Sequence, residues 1–346
     1  MRLAALVLVL AAAQEMSIRV EVGLVTVGVR VAERSGREVA GLGLRNFTLY
    51  EDGVVQKIES FSNEEQPIAL GILLDRSESM SENSKLERAK EAAVALVRAV
   101  RPGSAFAYLP FDHEVRGTVG YHTDRLRVEQ EISATTLGGG TSLYDAILVG
   151  LSRAAGASHA RRALVVFSDG SDQHSLHTLE EVVHAVQESQ VQLYGIGYFS
   201  KEEEAIFHTG PAKISLINGQ QIDNPRVVFQ RLAKESGAEA FFPRSDQDLR
   251  RTIDRITTDL RTQYTLAYQP SRPLTAGEYR RIEVKVHGGR WRVRARPGYG
   301  TRAQRGAPAS PAQPEIRSEV EAAAKLDAAG RRARAQGADN PNAPLR

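Results

Sequence analysis

Apolar side chains recur with two different periods along this chain, and the change from one period to the other divides it. Near the start, Ile18, Val20, Val22 and Leu24 alternate with other residues, and Val25, Val27, Val29 and Val31 continue on the opposite parity. Alternation lines one face of a strand, and the change of parity predicts a bulge or bend near Leu24 and Val25. Residues 47–51 and 54–61 flank Asp52-Gly53, a strong two-residue hairpin signal. From Pro67 onward short apolar runs at 68–74, 105–111, 163–167 and 191–196 are separated by helix-like stretches at 85–100, 142–155 and 179–189. In the first of these, Leu86, Ala89, Ala93, Leu96 and Val97 recur at helical spacing. Buried strands alternating with helices predict a doubly wound α/β fold, a mostly parallel sheet covered on both faces. Between 198 and 226 the period lapses around Gly210-Pro211 and Asn218-Gly219, which predicts an inserted loop or small hairpin. A helix at 228–235, a short strand at 240–242 and a long helix at 247–260 follow. Alternation then returns: Ile282, Val284 and Val286, and again Trp291, Val293 and Ala295, stand opposite charged residues. This predicts an amphipathic hairpin turning at Gly288-Gly289, with Arg292, Arg294 and Arg296 on a solvated face.

These boundaries predict five parts: a signal peptide at 1–13, a β segment at 14–65, an α/β domain at 66–262, a second β segment at 263–300 and a flexible tail at 301–346. Neither β segment is large enough to bury its own apolar face, so the two are expected to pack together. The leader combines Arg2, a short apolar run and small residues before Gln14, so export to the periplasm or the medium is expected, with no transmembrane anchor after cleavage. The tail is rich in Ala, Pro, Gly and Arg.

At 346 residues the chain has room for more than one domain, and 42% hydrophobic with 25% charged residues is ordinary for a globular protein. The net charge of +3 does not indicate nucleic-acid binding, because 8 of the 45 basic and 5 of the 42 acidic residues lie from Thr301 on, leaving 37 of each upstream. No cysteine is present, which excludes disulfides, thiolate metal sites and a cysteine nucleophile.

Candidate chemistry collects where strands end. The run 68–74 leads straight into Asp75-Arg76-Ser77-Glu78-Ser79, setting an Asp and two Ser at alternate positions at the carboxyl edge of a parallel strand. That edge is where open α/β sheets bind ligands. Two further oxygen-rich turns, Gly138-Gly139-Gly140-Thr141-Ser142 and Ser168-Asp169-Gly170, are expected at the same edge. Carboxylates and hydroxyls without imidazole or thiolate suit a hard cation: Mg²⁺, with Mn²⁺ or, less favourably, Ca²⁺ as alternatives. Taken singly, Asp75 or Asp169 is as well explained by a turn or a helix cap. Asp145 lies one helical turn beyond Thr141, while Asp112 and His113 are read as solvated loop residues, and His174 and His177 as surface residues of a Ser-rich turn.

D-x-S-x-S at Asp75, Ser77 and Ser79, a separate Thr141 and the later Asp169 together resemble the metal-ion-dependent adhesion site of von Willebrand A domains, over about residues 66–262. The resemblance implies a Rossmann-like sheet, with Ser77, Ser79 and Thr141 ligating Mg²⁺ and Asp75 and Asp169 holding coordinated waters. It also implies a partner protein whose Asp or Glu completes the metal sphere. The flanks, with Phe47-Thr48-Leu49-Tyr50-Glu51-Asp52-Gly53 and a closing Arg296-Pro297-Gly298-Tyr299, are similar to a secreted A-domain subfamily of acidobacteria and related bacteria. Two other readings stand beside this one: an assembly component in which metal mainly stabilises the fold, and a metal-dependent hydrolase. The second is disfavoured, since no G-x-S-x-G elbow, Walker-type loop or histidine base accompanies the motif, and no enzyme activity is expected.

Overall fold

Five parallel strands stand in the order Ala105–Phe111, Ala69–Asp75, Arg162–Ser168, Val191–Gly197, Ala240–Phe241. The computed structural model describes residues 24–117, 120–215, 219, 221–273 and 275–300. The expected leader, the alternation at Ile18, Val20 and Val22, and the expected tail lie outside these residues.

The apolar runs are continuous because both faces of the sheet are covered. Every residue of Ala69–Asp75 is buried. Leu70, Ile72 and Leu74 turn to one face, beneath the helices Lys85–Ala99, Arg125–Ser133 and Asp246–Thr262. Leu73, with Leu109, Leu164, Val166 and Leu193 from neighbouring strands, turns to the other, beneath Leu143–Ala155, Leu179–Glu188 and Pro225–Ser236. This is the doubly wound arrangement the periodicity predicts. No helix among the described residues is long and apolar enough to cross a membrane.

Two helices lie where the sequence pattern predicts none. Arg125–Ser133 buries only Val128 and Ile132, and its start is fixed by Asp124, whose side chain accepts the Arg127 N–H at 3.0 Å. Lys201–Thr209 occupies the stretch read as a loop or hairpin, and buries only Phe207. Its signal is a reciprocal cap rather than a period: Glu203 N–H donates to Ser200 Oγ at 3.1 Å, and Ser200 N–H to Glu203 Oε2 at 2.7 Å. A hairpin does follow, pairing Lys213–Ser215 with Gln221–Asp223.

The β segments interleave. One sheet runs Arg292–Arg294, Val25–Ala32, Tyr264–Tyr268, Ile58–Ser62, and the other Gly298–Gly300, Tyr279–Val286, Phe47–Glu51, Val54–Gln56. Each contains strands from both ends of the described chain, with Val27 opposite Leu266 and Leu49 opposite Val284. Val25, Val27, Val29, Val31, Leu49, Leu266 and Ile282 share one core. Asp52 and Gly53 both take positive φ, 47° and 82°, as the expected turn requires. The second arm of that hairpin breaks: Val54–Gln56 stays with Phe47–Glu51, while Ile58–Ser62 leaves to pair with Tyr264–Tyr268.

The expected hairpin at Gly288-Gly289 does not form. Tyr279–Val286 pairs instead with Phe47–Glu51 along residues 282–286 and with Gly298–Gly300 along 279–281, and Arg292–Arg294 crosses to the free edge of Val25–Ala32. Its faces are also reversed. Val293 is exposed, whereas Arg294 turns inward to Asp259 and Glu239. Arg296 is buried, donating to the carbonyls of Gln187 (2.5 Å), Ser189 (2.8 Å) and Gly298 (2.7 Å). An arginine facing buried acceptors is worth more inward than outward, and this overrides local alternation.

Candidate metal site

From Ala69–Asp75 the chain passes to Ala105–Phe111 on one side and later to Arg162–Ser168 on the other, so the connections leave the central strand in opposite directions. A crevice opens at such a point, beyond the carboxyl ends of the strands. Asp75 ends the first strand, and Asp169 immediately follows Ser168, the last residue of the third.

Asp75 is fully buried and held from both sides. Its Oδ1 accepts the Ser77 N–H at 2.8 Å, and its Oδ2 accepts the Ser168 hydroxyl at 2.5 Å. The Ser168 hydroxyl in turn accepts the Gly170 N–H at 2.8 Å. Ser77 and Ser79 bring their hydroxyl oxygens within 3.1 Å of each other. Burial, and then the charge of Asp169 nearby, push the Asp75 carboxyl up to about 7. Two ionised carboxylates in one dry crevice repel, and a cation between them would remove that cost.

The Thr141 turn is zipped to both neighbouring loops. Gly138 N–H donates to the Arg76 carbonyl at 2.6 Å and Glu78 N–H to the Gly139 carbonyl at 2.9 Å. On the other side, Gln173 and His174 N–H donate to the Thr141 carbonyl at 3.1 and 3.0 Å, and Thr141 N–H donates to His174 Nδ1 at 3.2 Å. Glycines are needed here because of close approach. A Cβ on Gly138 would sit 2.2 Å from Asp112 Oδ2, and one on Gly140 2.2 Å from the His174 ring. Thr141 and Asp169 are 4% and 1% exposed. Asp169 accepts Ser171 N–H at 3.4 Å and faces the Lys85 ammonium at 3.5 Å. Lys85 is buried, and although burial alone pulls its pKa down, Asp169 and Glu203 outweigh that and hold it above the usual lysine value.

The five predicted residues therefore sit on three interlocked loops at one sheet edge. The other candidates have different tasks. Asp112 is buried rather than solvated, 3.4 Å from Arg76 Nε and accepting Glu114 N–H at 2.9 Å. Asp145 pins the loop after Asp169, accepting Leu176 N–H at 3.0 Å, His177 N–H at 3.2 Å and bonding His177 Nδ1 at 2.7 Å. His174 is exposed, yet it orients Thr141.

Sequence reasoning placed Ser168 in the third turn but missed its bond to Asp75, and it missed Lys85. Ser168 offered no signal beyond its place before Asp169. Lys85 offered one: a cation in the first turn of a helix opposes the helix dipole and needs a specific reason. Asn83 and Ser84, at φ 51° and 56°, turn the chain so that Lys85 enters the interior, at roughly 1 kcal/mol each for left-handed backbone outside glycine.

The donor set suits a hard cation. It is oxygen throughout, with two carboxylates and three hydroxyls. Among the described residues no group of three His, Cys, Asp or Glu side chains could hold a metal ion, so a cation here would depend on hydroxyls and water for most of its sphere.

Residues 70–254, just over half of the chain, match the family model for the von Willebrand factor type A domain. No curated protein gives a significant match. Among solved structures, the chain is similar to BatB of Bacteroides thetaiotaomicron, 17% identical over 56% of this chain and 98% of that one, with a TM-score of 0.43. It is similar also to a von Willebrand factor type A protein of Catenulispora acidiphila, 12% identical over 74% of each chain, TM-score 0.45. A third is proximal thread matrix protein 1 of the mussel byssus, in a form with a zinc-occupied MIDAS motif, 14% identical over 61% of this chain and 49% of that one, TM-score 0.44. The matched span contains the parallel sheet and all three loops of the crevice, and the chain belongs to the von Willebrand factor type A domain family.

Proposed function

We propose that this chain is an exported protein-binding module of the adhesion or assembly kind, in which Asp75, Ser77, Ser79, Thr141 and Asp169 hold Mg²⁺ and a partner protein supplies an Asp or Glu to it. Support comes above all from one observation: two loops at strand ends and the turn between the helices Arg125–Ser133 and Leu143–Ala155 set hydroxyls and two buried carboxylates at one sheet edge, and the lysine beside one of those carboxylates is shared with Glu203. Mn²⁺ would fit the same oxygens, and Ca²⁺ less well.

When bound, the metal supplies a concentrated positive charge that an incoming carboxylate can meet. The residues do the rest. Ser168 and the Ser77 N–H hold both oxygens of Asp75, so that carboxylate is fixed before any cation arrives. The Thr141 turn is fixed by the backbone bonds to loops 76–78 and 173–174, which leaves its hydroxyl free to act as a ligand. With neutral hydroxyls in the majority, little of the ion's charge is cancelled, and an acidic partner group gains more than a neutral one.

In this reading residues 66–262 form the binding domain, 14–65 and 263–300 a joint β module, and 301–346 a tail. The leader-like run at 1–13 and the flanks similar to a secreted acidobacterial subfamily support export. Domains of this family commonly bind protein ligands, which favours a protein partner over nucleic acid or a small substrate. Calorimetry tests the reading: one Mg²⁺ or Mn²⁺ site is expected in the wild type and none in Asp75→Ala or Asp169→Ala variants that still fold. A partner captured from native extracts in Mg²⁺ should be lost in EDTA. Capture unaffected by both EDTA and Thr141→Ala would overturn it.

A further inference from the structure

The Lys85 side chain is 2% exposed and lies among three carboxylates, with Glu203 at 3.1 Å, Asp169 at 3.5 Å and Glu82 at 3.8 Å. Asp169 belongs to the crevice, whereas Glu203 belongs to the neighbouring helix, whose start it fixes by accepting the Ser200 N–H at 2.7 Å. One buried ammonium is therefore shared between the candidate metal site and the wall beside it. A cation that binds Asp169 meets a like charge already engaged with the same carboxylate. In an interior of low effective dielectric that repulsion is substantial, and it grows with whatever share of the lysine charge Glu203 leaves uncancelled.

We propose that Lys85 is a resident counter-ion of Asp169 that sets how tightly the crevice holds a divalent cation, with Glu203 drawing part of its charge away. The inference rests on the metal-site reading above. Lys85 is a positioning and tuning residue, and the two partners it bridges give opposite expectations. Removing the ammonium should raise metal affinity. Removing the Glu203 charge should lower it, because Lys85 is then left to Asp169.

The test is calorimetric titration of Mg²⁺ into the full chain at pH 7.5, with melting curves in EDTA and in saturating Mg²⁺. Lys85→Met should bind Mg²⁺ at least tenfold more tightly than the wild type, Glu203→Gln severalfold more weakly, and Lys85→Arg about as the wild type does. In EDTA, Lys85→Met should melt below the wild type, since Asp169, Glu203 and Glu82 lose their shared partner, and Mg²⁺ should raise its melting temperature by more than it raises that of the wild type. Should Lys85→Met fail to fold alone, Lys85→Met/Glu203→Gln leaves Asp169 as the one buried carboxylate without its ammonium, Glu82 being exposed, and should still bind more tightly than Glu203→Gln. A lysine with a packing role only would weaken binding in every variant, and that result, with the wild type binding normally, overturns the role of Lys85 alone. Absence of binding in both the wild type and Lys85→Met overturns the metal reading and this inference together.

Discussion

Two buried clusters of charge in this molecule are built on opposite rules. In the β module Glu51 and Arg280 are each about 1% exposed, and the cluster is closed on itself. Arg280 Nη1 donates to Glu51 Oε1 at 3.1 Å, and the hydroxyls of Tyr268 and Tyr299 donate to Oε2 at 2.7 and 2.8 Å. Burial and the neighbouring carboxylate hold the Tyr299 hydroxyl up at about 12, so it remains a donor. In the crevice, Asp75 and Asp169 are as deeply buried but lie near enough for their charges to repel, with the lysine at 3.5 Å from only one of them. The first cluster joins residues from both ends of the chain and has every charge answered; the second leaves negative charge unanswered at a sheet edge. Burial of charge is costly in either case, and only the second gains by admitting something from outside.

The largest effect that would sharpen this contrast is expected in the closed cluster. Glu51→Ala leaves Arg280 buried without its carboxylate and should cost about 3–5 kcal/mol, roughly ten degrees of melting temperature, with Mg²⁺ affinity unchanged by calorimetry. Equal loss of Mg²⁺ binding would mean the two clusters are not independent.

Asp75→Asn should act in the other direction. The folded carboxyl titrates at about 7 against about 3.9 for the unfolded chain, so between these values the folded state keeps a proton that the unfolded state has released. Unfolding then releases a proton, and the stability of metal-free wild type falls as pH rises through that window and levels off above it. Denaturant titrations in EDTA should show the Asn variant matching wild type below pH 4 and exceeding it by roughly 4 kcal/mol near pH 7.5. In Mg²⁺ only the wild type should gain stability. A wild-type stability that does not fall with pH relative to the variant would remove the claim of unanswered charge.

Smaller effects test the turn that carries Thr141. Gly140→Ala should cost about 1–2 kcal/mol by displacing the His174 ring, and His174→Ala should recover most of that in a double-mutant cycle. Smallest in stability is Thr141→Ala, within about 0.5 kcal/mol of wild type in EDTA, although Mg²⁺ affinity should fall about tenfold. A large loss of stability in EDTA would make Thr141 a structural residue instead of a ligand.

Local pattern determined much of this molecule. Period two and period 3.6 located the strands of the parallel sheet to within one residue and the long helices to within three, because both sheet faces and one stripe of each helix must be apolar wherever the chain is buried. The same reading put Asp75 at a strand end and Thr141 before a helix, since turn and cap chemistry is written in neighbouring residues. Short elements with a single buried residue or two escaped it: Lys201–Thr209 is set by the Ser200 and Glu203 cap, and Arg125–Ser133 by Asp124 with two apolar residues.

Tertiary structure alone decided which strand edge was free and which charge would find a partner. Residues 279–295 read as a hairpin because each half alternates, yet pairing depends on edges supplied by Phe47–Glu51 and Val25–Ala32, more than two hundred residues earlier. Arg294 and Arg296 read as a solvated face because their acceptors, on Asp259 and at Gln187 and Ser189, are remote in sequence. Lys85 was passed over in the sequence, since nothing adjacent announces Asp169 and Glu203. Periodicity records whether a position is buried; the identity of its neighbours is fixed only when distant segments meet, and the energy of a buried charge depends almost wholly on those neighbours.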